Sequence, residues 1–254
     1  MLSAKNLEIL YEDNHLIAVY KPAGVLVQPV RSKTSFRMSA DMPLASRTSN
    51  GFQPASSKSI GDHSLFGEVK EYLKKKYNKP GNVFLGIVHR LDRPVAGIVL
   101  FAKTSKGASR LSEQFRSRDV SKIYHAVVVG RMDPANGILR HSLVKKEDER
   151  IAEVSDEGKE SELYYETVRA NDKFSLLKIE PKTGRFHQIR VQLSESGHPI
   201  AGDTKYGFKN EDLRFKNGRD IALCATEVTF RTATTEEFKT IKIDYPAEWK
   251  EFFR

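Results

Sequence analysis

Residues 83–102 read VFLGIVHRLDRPVAGIVLFA: two apolar runs, 83–88 and 95–102, enclose the polar string His89-Arg90-Leu91-Asp92-Arg93-Pro94. Short apolar runs bounded by charges and proline read as strands. The spacing therefore wedges polar chemistry between two strands.

The same punctuation recurs outward from this stretch. Residues 15–20 form a β-branched apolar run ending at Lys21-Pro22-Ala23-Gly24, a strand entering a turn. Leu65, Phe66, Val69, Leu73 and Tyr77 fall near helical spacing, with Lys74-Lys75-Lys76 in the last turns, so residues 64–77 read as an amphipathic helix. The lysines suit the negative end of its dipole. Ser105 is placed to cap a second helix carrying Leu111 and Phe115 on one face and Lys106, Arg110, Arg116 and Arg118 elsewhere. A strand over 123–129 and strand-like runs at 163–168, 174–179, 227–230 and 240–243 follow. Strands outnumber helices, which predicts an α+β fold: a mostly antiparallel β-sheet core flanked by helices.

No repeat or second break in composition divides the chain, so residues 1–254 read as one catalytic-sized domain. Residues 31–60 interrupt it. Their eight serines, with Pro43, Gly51 and Pro54 and no sustained periodicity, predict a flexible insertion.

The chain has 254 residues, 39% of them hydrophobic and 30% charged. This balance fits a folded protein with a sizeable core. Lys and Arg number 42 against 33 Asp and Glu, for a net charge of +9. Such a surface suits an acidic polymer, although a basic enzyme without one has the same charge. Cys224 is the only cysteine, which excludes an internal disulfide and a cysteine zinc site. Charges interleave the N-terminal apolar residues, unlike a signal peptide, and run 95–102 is far short of the roughly 18 residues of a membrane span. The expected compartment is the cytoplasm.

Asp92 is the first candidate for chemistry. Beside His89, Arg90 and Arg93 its carboxylate stays ionised, as a nucleophile or general base must; a structural carboxylate paired to arginine fits this segment alone somewhat better. The second candidate is residues 182–193, KTGRFHQIRVQL, a glycine-punctuated turn entering a helix that stops near Gly197. Residues 181–194 hold three Lys or Arg and no acid, which suits an anion. His187 and Arg190 share a face, with Ile189 and Leu193 on the neighbouring core side. An arginine so near the core needs a partner, for which Asp92 is a candidate and a surface carboxylate the alternative. No HExxH pair, Asp-rich calcium loop, GxGxxG, GxxxxGK[ST] or GxSxG string is present. Metal, nucleotide-cofactor and serine acyl-transfer chemistry therefore lack motif support.

Three strings together, Val88 through Gly97, Lys182 through Leu193 and Gly202-Asp203-Thr204-Lys205-Tyr206-Gly207, resemble the RluA-type family of RNA pseudouridine synthases. Val19-Tyr20-Lys21-Pro22-Ala23-Gly24 resembles its lysine-proline-glycine segment, and Lys122-Ile123-Tyr124-His125-Ala126 its tyrosine strand, so the likeness runs in order over about residues 9–245.

The resemblance implies the pseudouridine synthase fold and isomerisation of particular uridines in structured ribosomal or transfer RNA. It implies no metal, nucleotide or organic cofactor. A monomer is expected, although nothing in the residues sets the oligomeric state. Asp92 is implied as the group that attacks the flipped-out nucleoside and starts glycosidic cleavage, Tyr124 as the stacking aromatic, and Arg190 as the partner of Asp92. Arg90 is implied to enter the space the flipped uridine leaves, with His89, Arg93, Lys182, Arg185, His187 and Gln188 as further RNA or substrate contacts. Two departures bear on local RNA contacts: Arg93-Pro94-Val95-Ala96-Gly97 lacks the family's two hydroxyls after the aspartate, and Phe186 replaces a hydroxyl residue. The early position of Asp92 implies a stand-alone catalytic domain without the S4-type domain of many relatives. A non-catalytic RNA-binding or RNA-folding factor on the same scaffold, and a nucleoside hydrolase using Asp92, are the competing readings.

Overall fold

The computed structural model describes residues 7–29, 64–209, 220–235 and 237–254. The insertion expected at 31–60 lies outside the described residues.

In chain order the elements are β1 (Ile9–Glu12), β2 (Leu16–Lys21), α1 (Leu65–Lys76), β3 (Gly86–Ile87), β4 (Ala96–Ala102), α2 (Ser105–Ser117), β5 (Ser121–Val129), β6 (Asn136–Lys146) and β7 (Ile151–Val154). They continue as β8 (Lys159–Ala170), β9 (Phe174–Pro181), α3 (Gln188–Glu195), β10 (Leu223–Arg231) and β11 (Phe238–Lys242). The described strands form one sheet in the order β1-β2-β4-β10-β5-β9-β8-β6-β7, with β11 on β10 and β3 on β4. Its pairings are antiparallel except β4 with β10. The α+β expectation holds.

All seven residues of β4 are buried because both faces of the sheet are covered there. Val99 and Phe101 face the cluster holding Leu65, Val69 and Leu73 of α1, while Ile98 and Leu100 face the cluster holding Leu111 of α2. Side chains alternate across a strand, so a strand covered on both sides must be apolar throughout. Each fully buried Leu, Ile or Val contributes about 1.5–3 kcal/mol. Gly97 interrupts this run for a different reason. Its φ is +124°, and a Cβ there would fall on the backbone of Ala225, its partner across the β4–β10 pairing. Only glycine lets the two strands meet.

Three local expectations change. The run 83–88 yields only the two-residue β3, because one edge of β4 is divided: β10 takes Ala96 and Gly97, and β3 takes Phe101 and Ala102. The intervening Leu100 N–H donates to Nε2 of His89, 2.9 Å away, so a side chain replaces the ladder. Thr104, not Ser105, caps α2; its backbone is extended and its Oγ1 accepts from Gly107 N at 3.1 Å. Strands β1, β6 and β7 escape the apolar pattern. In β6 Arg140, His141, Lys145 and Lys146 break the alternation, and the strand forms through its long pairing with β8. No described helix is long and apolar enough to cross a membrane.

Candidate active site

Asp92 lies in the loop entering β4, whose Leu91 and Val95 anchor it in the core. Val95 N donates to Asp92 O at 3.1 Å, which closes a turn around the aspartate. The Lys21-Pro22-Ala23-Gly24 turn clamps this loop: Gly24 N donates to Arg93 O (2.8 Å), and Arg93 Nε returns a bond to Gly24 O (2.9 Å). The fully buried Lys21 ammonium donates to the carbonyls of Pro22, Val25 and Arg93 at 3.0, 2.8 and 3.1 Å. Burial pulls its pKa down to about 7. Sequence shows this segment as a turn, and only packing reveals it as the clamp beneath Asp92.

Three residues expected at the RNA make side-chain hydrogen bonds within the chain. Arg93 holds Gly24 as described. His89 stacks on Phe115 at 4.7 Å with Nε2 accepting from Leu100, and burial, aided by Lys122, lowers its pKa to about 3, so the ring is neutral as an acceptor must be. Gln188 accepts through Oε1 from Thr183 Oγ1 (2.7 Å) and Arg185 N (3.0 Å) and donates through Nε2 to Glu162 O (3.0 Å). It shapes the turn before α3 rather than facing outward.

The Asp92 side chain is 29% exposed. Arg190 Nη1 donates to its Oδ2 at 3.2 Å, and His187 Nε2 lies 3.4 Å from the same oxygen. The expected Arg190–Asp92 pairing is therefore present, but it is the lesser of two. Arg190 directs Nε and Nη2 at the two oxygens of Asp203, 2.7 and 2.8 Å away, with Asp203 only 1% exposed. Burial opposes the buried guanidinium's charge; Asp203 first and Asp92 second outweigh it and raise its pKa. Asp203 is a site residue that sequence reasoning left without a role. The signal was available: an arginine beside the core side of its helix demands a carboxylate, and Asp203 stands in the 202–207 string.

Tyr124 and Lys122 lie two apart on β5, hence on one face, and both line the cleft over Asp92. Burial, and then the charge of Asp92, push the Tyr124 phenol up, so it stays protonated. Burial lowers the pKa of the Lys122 ammonium, for which the described residues supply no hydrogen bond or ion pair. The cleft encloses about 640 Å³, room for a nucleotide. Seven Lys or Arg line it against Asp92, Asp119 and Glu180. Arg90, Arg116, Arg118, Lys182 and Arg185 stand among the seven, with Arg116 paired to Glu113 (2.7 Å), Lys182 to Glu180 and Arg185 Nε to Glu160 O (3.1 Å); Lys103 and Arg110 lie outside the cleft, held by Glu12 and by Ala233 O, each at 2.6 Å. Among the described residues no cluster of His, Cys, Asp and Glu could hold a metal ion.

A model of the family described as RNA pseudouridylate synthase matches residues 15–195. The ribosomal large subunit pseudouridine synthase C of Pasteurella multocida (strain Pm70) is 35% identical over 246 residues, 95% of this chain and 64% of that protein. Its namesake in Haemophilus influenzae is 35% identical over 214 residues, 83% of this chain and 56% of the relative. This chain spans between 54 and 66% of the length of such curated relatives. Among solved structures, human RNA Pseudouridylate Synthase Domain Containing 4 superposes with a TM-score of 0.72 over 97% of this chain and 92% of its own, at 21% identity. Human RNA Pseudouridylate Synthase Domain Containing 1 gives 0.67 over 96% and 85%, also at 21%. These two structures establish the shared fold.

Proposed function

The chain belongs to the RNA pseudouridylate synthase family, and from that premise we propose that it converts uridine to pseudouridine in structured RNA, with Asp92 initiating the reaction. The observation that carries this reading is a partly exposed carboxylate held by a buried arginine beneath a protonated tyrosine, in a basic cleft of nucleotide size. The names of the curated relatives favour ribosomal RNA over transfer RNA. The proposed setting is a monomer in the cytoplasm, one catalytic domain acting without a cofactor.

The chemistry asks for few groups. The N1–C1′ bond breaks, the base turns within the pocket, a C5–C1′ bond forms, the C5 proton leaves to water and N1 takes up a proton. Asp92 begins the cleavage, with Oδ2 held by Arg190. Tyr124 offers a ring face to the detached base and confines its rotation. A flipped-out uridine exchanges stacking in RNA for stacking here. Arg90, Arg116, Arg118, Lys122, Lys182 and Arg185 neutralise phosphates around the cleft, which gives salt-dependent affinity with little sequence information.

The test uses ribosomal and transfer RNA transcripts carrying tritium at uracil C5. Wild-type protein is expected to release tritium to water and to leave pseudouridine in RNA of unchanged mass. Asp92→Asn is expected to release none while still binding the RNA. Equal tritium release by the variant would remove Asp92 from the chemistry, free uracil would indicate a hydrolase, and binding with no release by folded wild type would indicate a non-catalytic RNA factor.

A further inference from the structure

Tyr206 ends the short 3-10 turn Thr204–Tyr206 and is 7% exposed. Its hydroxyl oxygen accepts from Ala152 N at 2.8 Å and lies 2.7 Å from His187 Nδ1. A phenol carries a single hydrogen. With Ala152 already donating to the oxygen, that hydrogen has one acceptor among the described neighbours, the Nδ1 of His187. A neutral imidazole that accepts at Nδ1 bears its proton on Nε2. Nε2 is the atom 3.4 Å from Asp92 Oδ2.

We propose that Tyr206 and His187 form a positioning pair: Tyr206 selects the imidazole tautomer that turns an N–H toward Asp92, so that Oδ2 is held by His187 and Arg190 together and Oδ1 is presented to the nucleoside. The inference rests on the reading of Asp92 as the reacting carboxylate. Among the described residues Oδ1 has no hydrogen-bond partner. Reversing the tautomer would aim the Nε2 lone pair at a carboxylate oxygen, which is repulsive.

Surrounding contacts fix both rings. Phe186 stacks on His187 at 3.8 Å, Tyr206 meets the imidazole edge-on at 5.5 Å, and the Arg190 guanidinium lies over Tyr206 at 4.9 Å. His187 holds a left-handed backbone, φ +52°, in front of α3. Such a conformation is costly for a residue with a Cβ and persists where the surroundings impose it. Burial, with Arg190 next, lowers the His187 pKa to about 3, so the ring is neutral under ordinary conditions and has two tautomers to choose between.

The experiment reads tautomer and turnover separately. In protein labelled with ¹⁵N-histidine, two-bond nitrogen–proton correlations, assigned by their loss in His187→Gln, are expected to show wild-type His187 protonated at Nε2. In Tyr206→Phe they are expected to show the Nδ1-protonated form gaining population. By tritium release, Tyr206→Phe and His187→Ala are expected to lower kcat by roughly 10- to 100-fold with KM little changed. Glutamine can place an N–H where Nε2 stood, so His187→Gln is expected to recover much of that loss, and in its background Tyr206→Phe should have no further effect. An Nδ1-protonated wild-type ring, wild-type kcat in Tyr206→Phe, or a Tyr206→Phe loss that persists alongside His187→Gln would overturn the proposal. If wild type releases no tritium from any RNA, the functional reading fails on its own account, and the tautomer measurement still decides the wiring.

Discussion

Arg190 aims Nε and Nη2 at the two oxygens of Asp203, 2.7 and 2.8 Å away, and only Nη1 reaches Asp92. The guanidinium is thus fixed by a buried acid before it touches the proposed reactive one. Removing one member of a buried pair strands the other's charge, whereas a single contact to a partly exposed carboxylate carries little stability. Asp203→Asn is expected to lower the urea-unfolding free energy by about 3–5 kcal/mol, and Asp92→Asn by under about 1 kcal/mol. A larger loss for Asp92→Asn would reverse this hierarchy.

Lys122 places a desolvated ammonium in the cleft without a polar partner among the described residues. Such a charge is costly to the free protein and available to a phosphate. Lys122→Met is expected to reduce the slope of log K against log salt for RNA binding by about 0.7–0.9, while unfolding free energy holds or rises. An unchanged slope would mean that Lys122 meets no phosphate.

Glu12 accepts from Lys76 (2.7 Å), Lys103 (2.6 Å) and Tyr77 (2.6 Å), tying β1 to the ends of α1 and β4. Burial works against the carboxylate, but these bonds together hold its pKa at about 2, against an ordinary 4.5. A depressed carboxylate pKa contributes stability that is complete above the unfolded value and is lost as pH falls through the folded one. Wild type should exceed Glu12→Gln by about 2 kcal/mol at neutral pH, after allowance for screening at the exposed Lys76 end. Urea titrations should show the gap closing between pH 4.5 and 2; a gap independent of pH would show that the carboxylate's charge is not its source.

Gly97 allows β4 to lie against Ala225 of β10, and any Cβ would meet that backbone at an unfavourable φ. Gly97→Ala is therefore expected to cost more than about 4 kcal/mol. Because the Asp92 loop enters β4 at Ala96, one residue earlier, tritium release should fall with it. A melting temperature near wild type would show that the two strands can part without damage.

The sequence by itself determined the elements whose side chains repeat a clear period and the polar strings between them. The all-apolar β4, the amphipathic α1 and the short α3 are legible because burial on one or two faces leaves its mark in every residue. Asp92 and Arg190 are legible as candidates because a carboxylate set among cations between two strands and an arginine beside a core face need a reason to be there; the family likeness supplied the proposed role of each, and it alone pointed to Tyr124. Tertiary structure decided what depends on distance rather than spacing. Asp203 outranks Asp92 as the partner of Arg190, Lys21 clamps the loop from far upstream, and His89 and Gln188 turn inward, because hydrogen bonds between segments distant in the chain are made only after the sheet has brought them together. β6 followed the same rule: its charges hide its periodicity, and its pairing with β8 makes it a strand.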